Sequence, residues 1–313
     1  MAHANGEVTS MLTGKHLVFV GGDRRQLEVI AQITDNDASA TLIGFSELGR
    51  TFADTTFAEP SEAVFAQADA LVLPVAGMED DGRVDTAFAP QPVELKESHF
   101  QAMRPGTFVF TGIAHRVLTE WCERYSLRLV KLMELDDVAI LNSIPTAEGA
   151  IAIAMQETDI TLHGAKTVVL GFGRCGQTLA HKLHAMGAVV HVCASDPRDL
   201  ARIHEQSLTP VPLKHIEHAV HDADIVFNTI PAMVLPAAVL KRMRREAVII
   251  DIASKPGGTD FRYAERRGIK AILTPSLPGL VAPRTAGRII AASITRMLAD
   301  DDEPEFEEEE LWI

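Results

Sequence analysis

One segment constrains this chain more than any other: VVLGFGRCGQTLA, residues 168–180. A β-branched strand pattern runs into three glycines spaced G-x-G-x-x-G, and a helical run continues to Met186. Gly171 permits a tight turn, and Gly173 lets backbone approach a pyrophosphate. Gly176 lets the helix pack close to the strand, while the first-turn N–H groups face the negative charge. Phe172, Arg174 and Cys175 complete the loop. A bare glycine motif is weak evidence. Here a strand precedes it and a helix follows it, which points to a dinucleotide-binding Rossmann unit.

The motif begins more than halfway along a chain of 313 residues. What precedes it is the size of a separate domain. Apolar runs at 16–22, 40–45, 70–75, 107–112 and 127–133 alternate with helical stretches near 25–34, 61–68 and 115–125. That rhythm predicts a doubly wound parallel sheet. The polar, proline-bearing segment 76–99 reads as a long loop. The second part repeats the rhythm, with strands expected at 166–171, 188–193, 225–229, 247–252 and 269–273. Helices are expected at 176–186, 197–206, 213–221, 236–244 and 260–267. A connecting helix over 144–159 is expected to be capped near Thr146, with Glu148 in its first turn. The expected organisation is α/β throughout: an N-terminal domain (12–143) and a Rossmann domain (144–282), with a last helix (283–299) returning to the first domain.

The net charge of −14 misleads, because the run 300–313 holds three Asp and six Glu. The remainder carries only −5, and no basic stripe points to nucleic acid. This acidic run and the polar leader 1–11 are both expected to be disordered. The leader lacks a signal-peptide core, and no apolar run approaches the ~18 residues that span a bilayer. Cys122, Cys175 and Cys193 show no metal-ligand spacing, so no metal is expected and a reducing cytoplasm fits.

The tip of the second Rossmann strand separates NAD from NADP. The strand is expected to end near Cys193 or Ala194. A tip at Ser195, with Arg198 behind it, welcomes a 2′-phosphate; a tip at Asp196 favours NAD. Asp196-Pro197 also reads as an ordinary helix cap, which favours NADP. Asn228, Thr229, Ile230 and Pro231 end the next strand and are candidates to border the nicotinamide ribose, with Ala253 beside them. Lys255 is a candidate to hold a substrate carboxylate or developing negative charge, or else a solvated loop lysine. Arg284 stands at the start of the last helix, Arg116 and His115 at a strand end in the first domain. Arg24 and Arg25 read either as carboxylate binders or as surface charges. Ser143, Thr146 and Glu148 lie at the domain junction.

GGDRRQLE (21–28), LNSIPTAEGAIAIAM (141–155), the glycine segment, FNTIP (227–231), the block from DIASKPGGTDF and PSLPGLVAPRTAG (275–287) occur in that order. Together they closely resemble the A subunits of dipicolinate synthases from spore-forming bacteria, from about Leu12 to Leu298. The helix-start segment is also similar to that of S-adenosylhomocysteine hydrolases. In the dipicolinate synthase pattern an arginine is common where this chain has Ser195, and Lys255 is often arginine. The resemblance implies 4-hydroxy-tetrahydrodipicolinate, or the dihydrodipicolinate formed by its dehydration, as substrate and pyridine-2,6-dicarboxylate as product. It implies a partner, the flavoprotein-like B subunit, with the mother-cell cytoplasm as location; self-association is also expected. On this reading Lys255, Arg284, Arg116, Ser143 and Thr146 hold carboxylates, and Glu148 or His115 accepts the proton. The alternatives are a nucleotide-binding scaffold protein with the chemistry on its partner, and another two-domain dehydrogenase.

Overall fold

Two six-stranded parallel sheets carry the chain, and they share one strand order. The computed structural model describes residues 12–301. The expected leader and all but the first two residues of the acidic run lie outside the described residues.

The first unit comprises residues 12–138 and 283–301. It contains β1 (His16–Val20), α1 (Arg24–Asp35), β2 (Ser39–Ile43), β3 (Thr55–Phe57), α2 (Glu62–Ala66) and β4 (Ala70–Val72). There follow β5 (Arg83–Val84), β6 (Val93–Glu94), α3 (Glu97–Gln101), β7 (Phe108–Thr111), α4 (Arg116–Arg124) and β8 (Arg128–Lys131). The main sheet runs β3-β2-β1-β4-β7-β8, every pairing parallel. Side chains alternate across β1, as the two-residue strand period requires. Leu17 and Phe19 enter one core with Val29, Ile30 and Ile33 of α1. Val18 and Val20 enter the other with Phe65, Phe100 and Leu118. Helices on both faces explain why the strands read as unbroken apolar runs.

The second unit comprises residues 139–282. Helix α5 (Asp136–Glu157) leads into it. Then come β9 (Lys166–Leu170), α6 (Arg174–Ala185), β10 (Val189–Ala194), α7 (Pro197–Glu205), β11 (Thr209–Pro212) and α8 (Ile216–Val220). β12 (Ile225–Asn228), α9 (Ala237–Leu240), β13 (Val248–Asp251), α10 (Phe261–Arg267), β14 (Lys270–Leu273) and α11 (Leu277–Val281) complete it. The order β11-β10-β9-β12-β13-β14 repeats that of the first unit. The last helix, α12 (Pro283–Asp300), adds Ile290, Ala291, Ile294 and Leu298 to the first unit's core. It lies close against α1: a Cβ on Gly287 would stand 2.6 Å from the Arg25 carbonyl oxygen.

The structure corrects three readings. Segment 76–99 is not an open loop; it forms the β5–β6 pair and the start of α3, and it buries Met78, Val84, Val93 and Leu95. Single apolar residues scattered among charges and prolines leave no periodicity to read. The connecting helix begins at Asp136, ten residues before Thr146, and carries Pro145 in its interior. Helix α5 also contains an 18-residue window of mean hydropathy 1.5, long and apolar enough to cross a membrane by length and composition. Part of that apolar content goes into the second unit's core through Ala147, Ala150, Ile151 and Ala154.

Candidate functional site

The glycine turn joins β9 to α6, and its three glycines have different jobs. Gly171 adopts φ +98°, and a Cβ there would lie 2.4 Å from Thr229 Oγ1. A Cβ on Gly176 would lie 2.2 Å from the Gly171 carbonyl oxygen. Both close contacts fix the helix against the strand end. Beside Gly173 a Cβ would meet nothing within 4 Å. Gly173 is the N-cap of α6 and offers no side chain, and the first turn contains no acidic residue. The result is an open cradle at a positive helix end, which fits a pyrophosphate.

Phe172 sends its ring into the core, so only its backbone borders the cradle. Its carbonyl accepts from Gln177 Nε2 at 3.0 Å. Arg174 is exposed and Cys175 half-buried. Burial pushes the Cys175 thiol up, opposed by the Arg174 charge and by a hydrogen bond with Thr146.

At the second strand tip, β10 ends at Ala194 and Ser195 is exposed. Asp196 is the N-cap of α7, with Pro197 at the first helical position. Its carboxylate accepts from the Arg198 N–H at 2.8 Å and from the Arg198 guanidinium at 2.9 Å. Those contacts hold its pKa below the usual range.

The strand ends opposite are tied together by a buried network that the sequence did not reveal. Asp251 is wholly buried and accepts from Asn228 Nδ2 at 3.0 Å, Ala253 N at 3.2 Å, Gly258 N at 2.9 Å and Thr259 Oγ1 at 2.7 Å. Asn228 also donates to the Ile230 carbonyl and accepts from the Ile230 N–H. This corrects two expected cofactor contacts. Asn228 has no solvent-facing surface, and Ala253 is buried with its N–H engaged. They shape the wall from behind. Thr229 and Ile230 stand beside Gly171, and Pro231 is exposed. Thr229 Oγ1 donates to the Leu170 carbonyl at 2.8 Å. Lys255 is exposed on the loop after β13, with no carboxylate partner among the described residues.

Helix α5 corrects three more expectations. Ser143 is wholly buried, and its hydroxyl is engaged by the Ile140 carbonyl and Thr178 Oγ1, each at 2.6 Å, so it cannot hold substrate. Thr146 lies inside the helix and donates to the Asn142 carbonyl at 2.8 Å, so there is no helix start to bind an anion. Glu148 is exposed and paired with Lys182 Nζ at 2.9 Å. A solvated ion pair is a poor setting for a proton acceptor.

In the first unit, His115 is the half-buried N-cap of α4 and makes no side-chain capping bond. Arg116 is exposed and engaged by Glu120 at 2.7 Å and Asp80 at 4.0 Å, which argues against it as a carboxylate holder. Arg284 is exposed, 3.6 Å from Glu28. Arg25 is buried against Asp23. The glycine turn after β1 is closed: the Gly22 N–H donates to the Asp85 carbonyl at 2.8 Å, and the Ala87 N–H donates to the Gly22 carbonyl at 2.8 Å. Segment 85–87 thus covers this turn, whereas a Cβ on Gly173 would meet nothing within 4 Å.

Known proteins resemble the chain in both parts. The family model for the N-terminal domain of dipicolinate synthase A subunits matches residues 16–133. That for the alanine dehydrogenase/PNT C-terminal domain matches residues 144–308. The dipicolinate synthase A subunit of Bacillus subtilis is 44% identical over 290 residues, covering 93% of this chain and 98% of that one. The crystal structure of the dipicolinate synthase A subunit from Bacillus halodurans matches with a TM-score of 0.89 at 46% identity, covering 94% of this chain and all of that one. An L-alanine dehydrogenase structure matches with a TM-score of 0.59 at 17% identity over 90% of this chain and 89% of that one, a likeness of fold alone. A dehydrogenase-type nucleotide-binding unit with an open glycine cradle, joined to this N-terminal domain and alike over nearly the whole chain, leaves one family: the chain belongs to the dipicolinate synthase A subunits.

Proposed function

We propose that this chain catalyses the NADP-linked oxidation of dihydrodipicolinate, formed from 4-hydroxy-tetrahydrodipicolinate by loss of water, to pyridine-2,6-dicarboxylate. It does so with a B subunit, in the cytoplasm of the mother cell, and also self-associates. The open cradle beside Gly173, in a chain of this family, is the observation that carries the reading.

When bound, the nicotinamide supplies the hydride acceptor, taking two electrons and one ring hydrogen from the substrate. The second hydrogen leaves as a proton. His115 is the acceptor this reading favours, because it is half-buried with no carboxylate partner among the described residues, whereas Glu148 is held by Lys182. Aromatisation supplies much of the driving force, so the protein's main task is to orient the ring and bind its carboxylates. Lys255 and Arg284 fit that task. Ser195 is exposed, and Arg198, exposed but engaged by Asp196 at 2.9 Å, would exchange that carboxylate for a 2′-phosphate. One observation favours a scaffold role with the chemistry on the partner: Ser143, Asn228 and Glu148 are all engaged internally.

The test is to mix the purified chain with its B subunit, substrate and NADP, and to follow the ultraviolet absorbance of the pyridine dicarboxylate. Product is expected. Its absence, with both proteins folded, contradicts the reading. Product that survives Lys255→Ala and His115→Ala unchanged supports the scaffold role.

A further inference from the structure

The first unit contains a pocket of about 280 Å³, lined by Arg24, Leu27, Glu28, Arg50, Pro283 and Arg284. Helices α1 and α12 both begin at its wall, at Arg24 and Pro283, and the close approach at Gly287 holds them together. The charges there do not balance. Glu28 is the one lining carboxylate, and it is already engaged by Arg288 at 2.7 Å and Arg284 at 3.6 Å. Asp23 is engaged by Arg25 at 2.6 Å. Arg24 and Arg50 have no carboxylate partner among the described residues, and Arg50 is steadied over the Phe52 ring at 4.5 Å. Leu27 supplies an apolar side between them. Arginine forks and an apolar wall together suit a flat ring carrying more than one carboxylate.

We infer that this pocket binds a small dianion between Arg24 and Arg50. On the function proposed above, the occupant is the pyridine dicarboxylate or its ring precursor. Inorganic phosphate shares the charge but lacks the apolar ring that Leu27 would meet.

The experiment is a calorimetric titration of the full chain, at low salt, with pyridine-2,6-dicarboxylate, pyridine-2-carboxylate and inorganic phosphate. The dicarboxylate is expected to bind at least about tenfold tighter than the other two, because each charge-assisted fork is worth about that factor. Arg24→Gln and Arg50→Gln each weaken it by about tenfold or more, whereas Glu28→Gln, which removes the competing carboxylate, tightens it. Equal affinity in the wild type and both arginine variants, or no binding at all, overturns the inference. Phosphate binding as tight as the dicarboxylate overturns the choice of occupant. Product formation with the B subunit is measured separately. Product with unaltered binding in the variants defeats this inference alone, and no product with arginine-dependent binding defeats the proposed function alone.

Discussion

The Gly22 N–H donates to the Asp85 carbonyl at 2.8 Å, so a returning segment covers the turn after β1, whereas a Cβ on Gly173, in the turn after β9, would meet nothing within 4 Å. Two sheets of the same strand order thus differ in what their first turn can accept. In the first unit a returning segment satisfies the turn's N–H. In the second, the helix end after Gly173 has no side-chain cap. The difference lies in the 76–99 segment and in the N-cap residue, Asp23 in α1 against Gly173 in α6, rather than in the sheets.

Gly173→Ala and Gly176→Ala are expected to separate ligand contact from packing. A Cβ at Gly173 meets open space, so stability changes by no more than about 1 kcal/mol, while dinucleotide affinity falls about tenfold. A Cβ at Gly176 collides with the Gly171 carbonyl, so both the thermal midpoint and binding fall. Calorimetry and NADPH fluorescence on both variants check this. Equal stability loss in the two contradicts it.

Arg198→Ala is expected to weaken NADPH by about tenfold and to leave NADH within about twofold, as the loss of one charge-assisted contact to a 2′-phosphate would. An equal effect on the two nucleotides contradicts the NADP assignment.

Asp251→Ala leaves four donors without their acceptor, among them the buried Asn228 amide. A buried donor left without its acceptor costs about 1–3 kcal/mol. Urea denaturation is expected to show a loss of that order. A change below about 1 kcal/mol would mean that the two loops hold their shape without the network.

Three histidines make folding sensitive to mild acid. Burial lowers the pKa of His16, His99 and His191, reinforced at His99 by Lys96 and at His191 by Lys166, and opposed at His16 by Asp69. The unfolded chain binds protons near pH ~6.5 and the folded chain only at lower pH. Stability is therefore full above pH ~6.5 and falls as the pH drops through the lowered folded values. The thermal midpoint should decline between pH 7 and pH 5, and less steeply in His191→Gln, which replaces a ring whose Nδ1 is buried without a hydrogen-bond partner among the described residues. A flat profile contradicts this.

The cysteines are expected to divide by burial. Cys122 and Cys193 are pushed up to about 12 by burial, and neither should react with a thiol reagent at pH 8 in the native chain. Cys175 is half-buried beside the cradle, so slow labelling there should be blocked by dinucleotide. Labelling of Cys122 or Cys193 in the native chain contradicts the packing.

The sheets were legible because both faces are covered: Leu17–Val20 and Val168–Leu170 read as continuous apolar runs. Of the four edge strands, β8 and β14 were legible and β3 and β11 were not. β11 reads TPVP, and the two prolines mask a strand that tolerates them only at the sheet edge. Pro145 made the start of α5 look like a boundary, although the helix runs through it from Asp136. The glycine cradle was legible because its backbone demands are local. The direction of a polar side chain at a strand end is not, which is why Asn228 read as a ligand contact while Asp251, the residue it serves, went unremarked. Asp196 shows the opposite case: Asp-Pro is a cap signal that needs no tertiary contact, and the helix begins there.

The most direct measurement is the stoichiometry of NADPH binding to the wild-type chain and to Gly173→Asp, which puts a carboxylate in the cradle. One NADPH per wild-type chain and none in the variant, with both folded, is the predicted result. Two per chain, or undiminished binding in the variant, would contradict a single site at the glycine turn of the second unit.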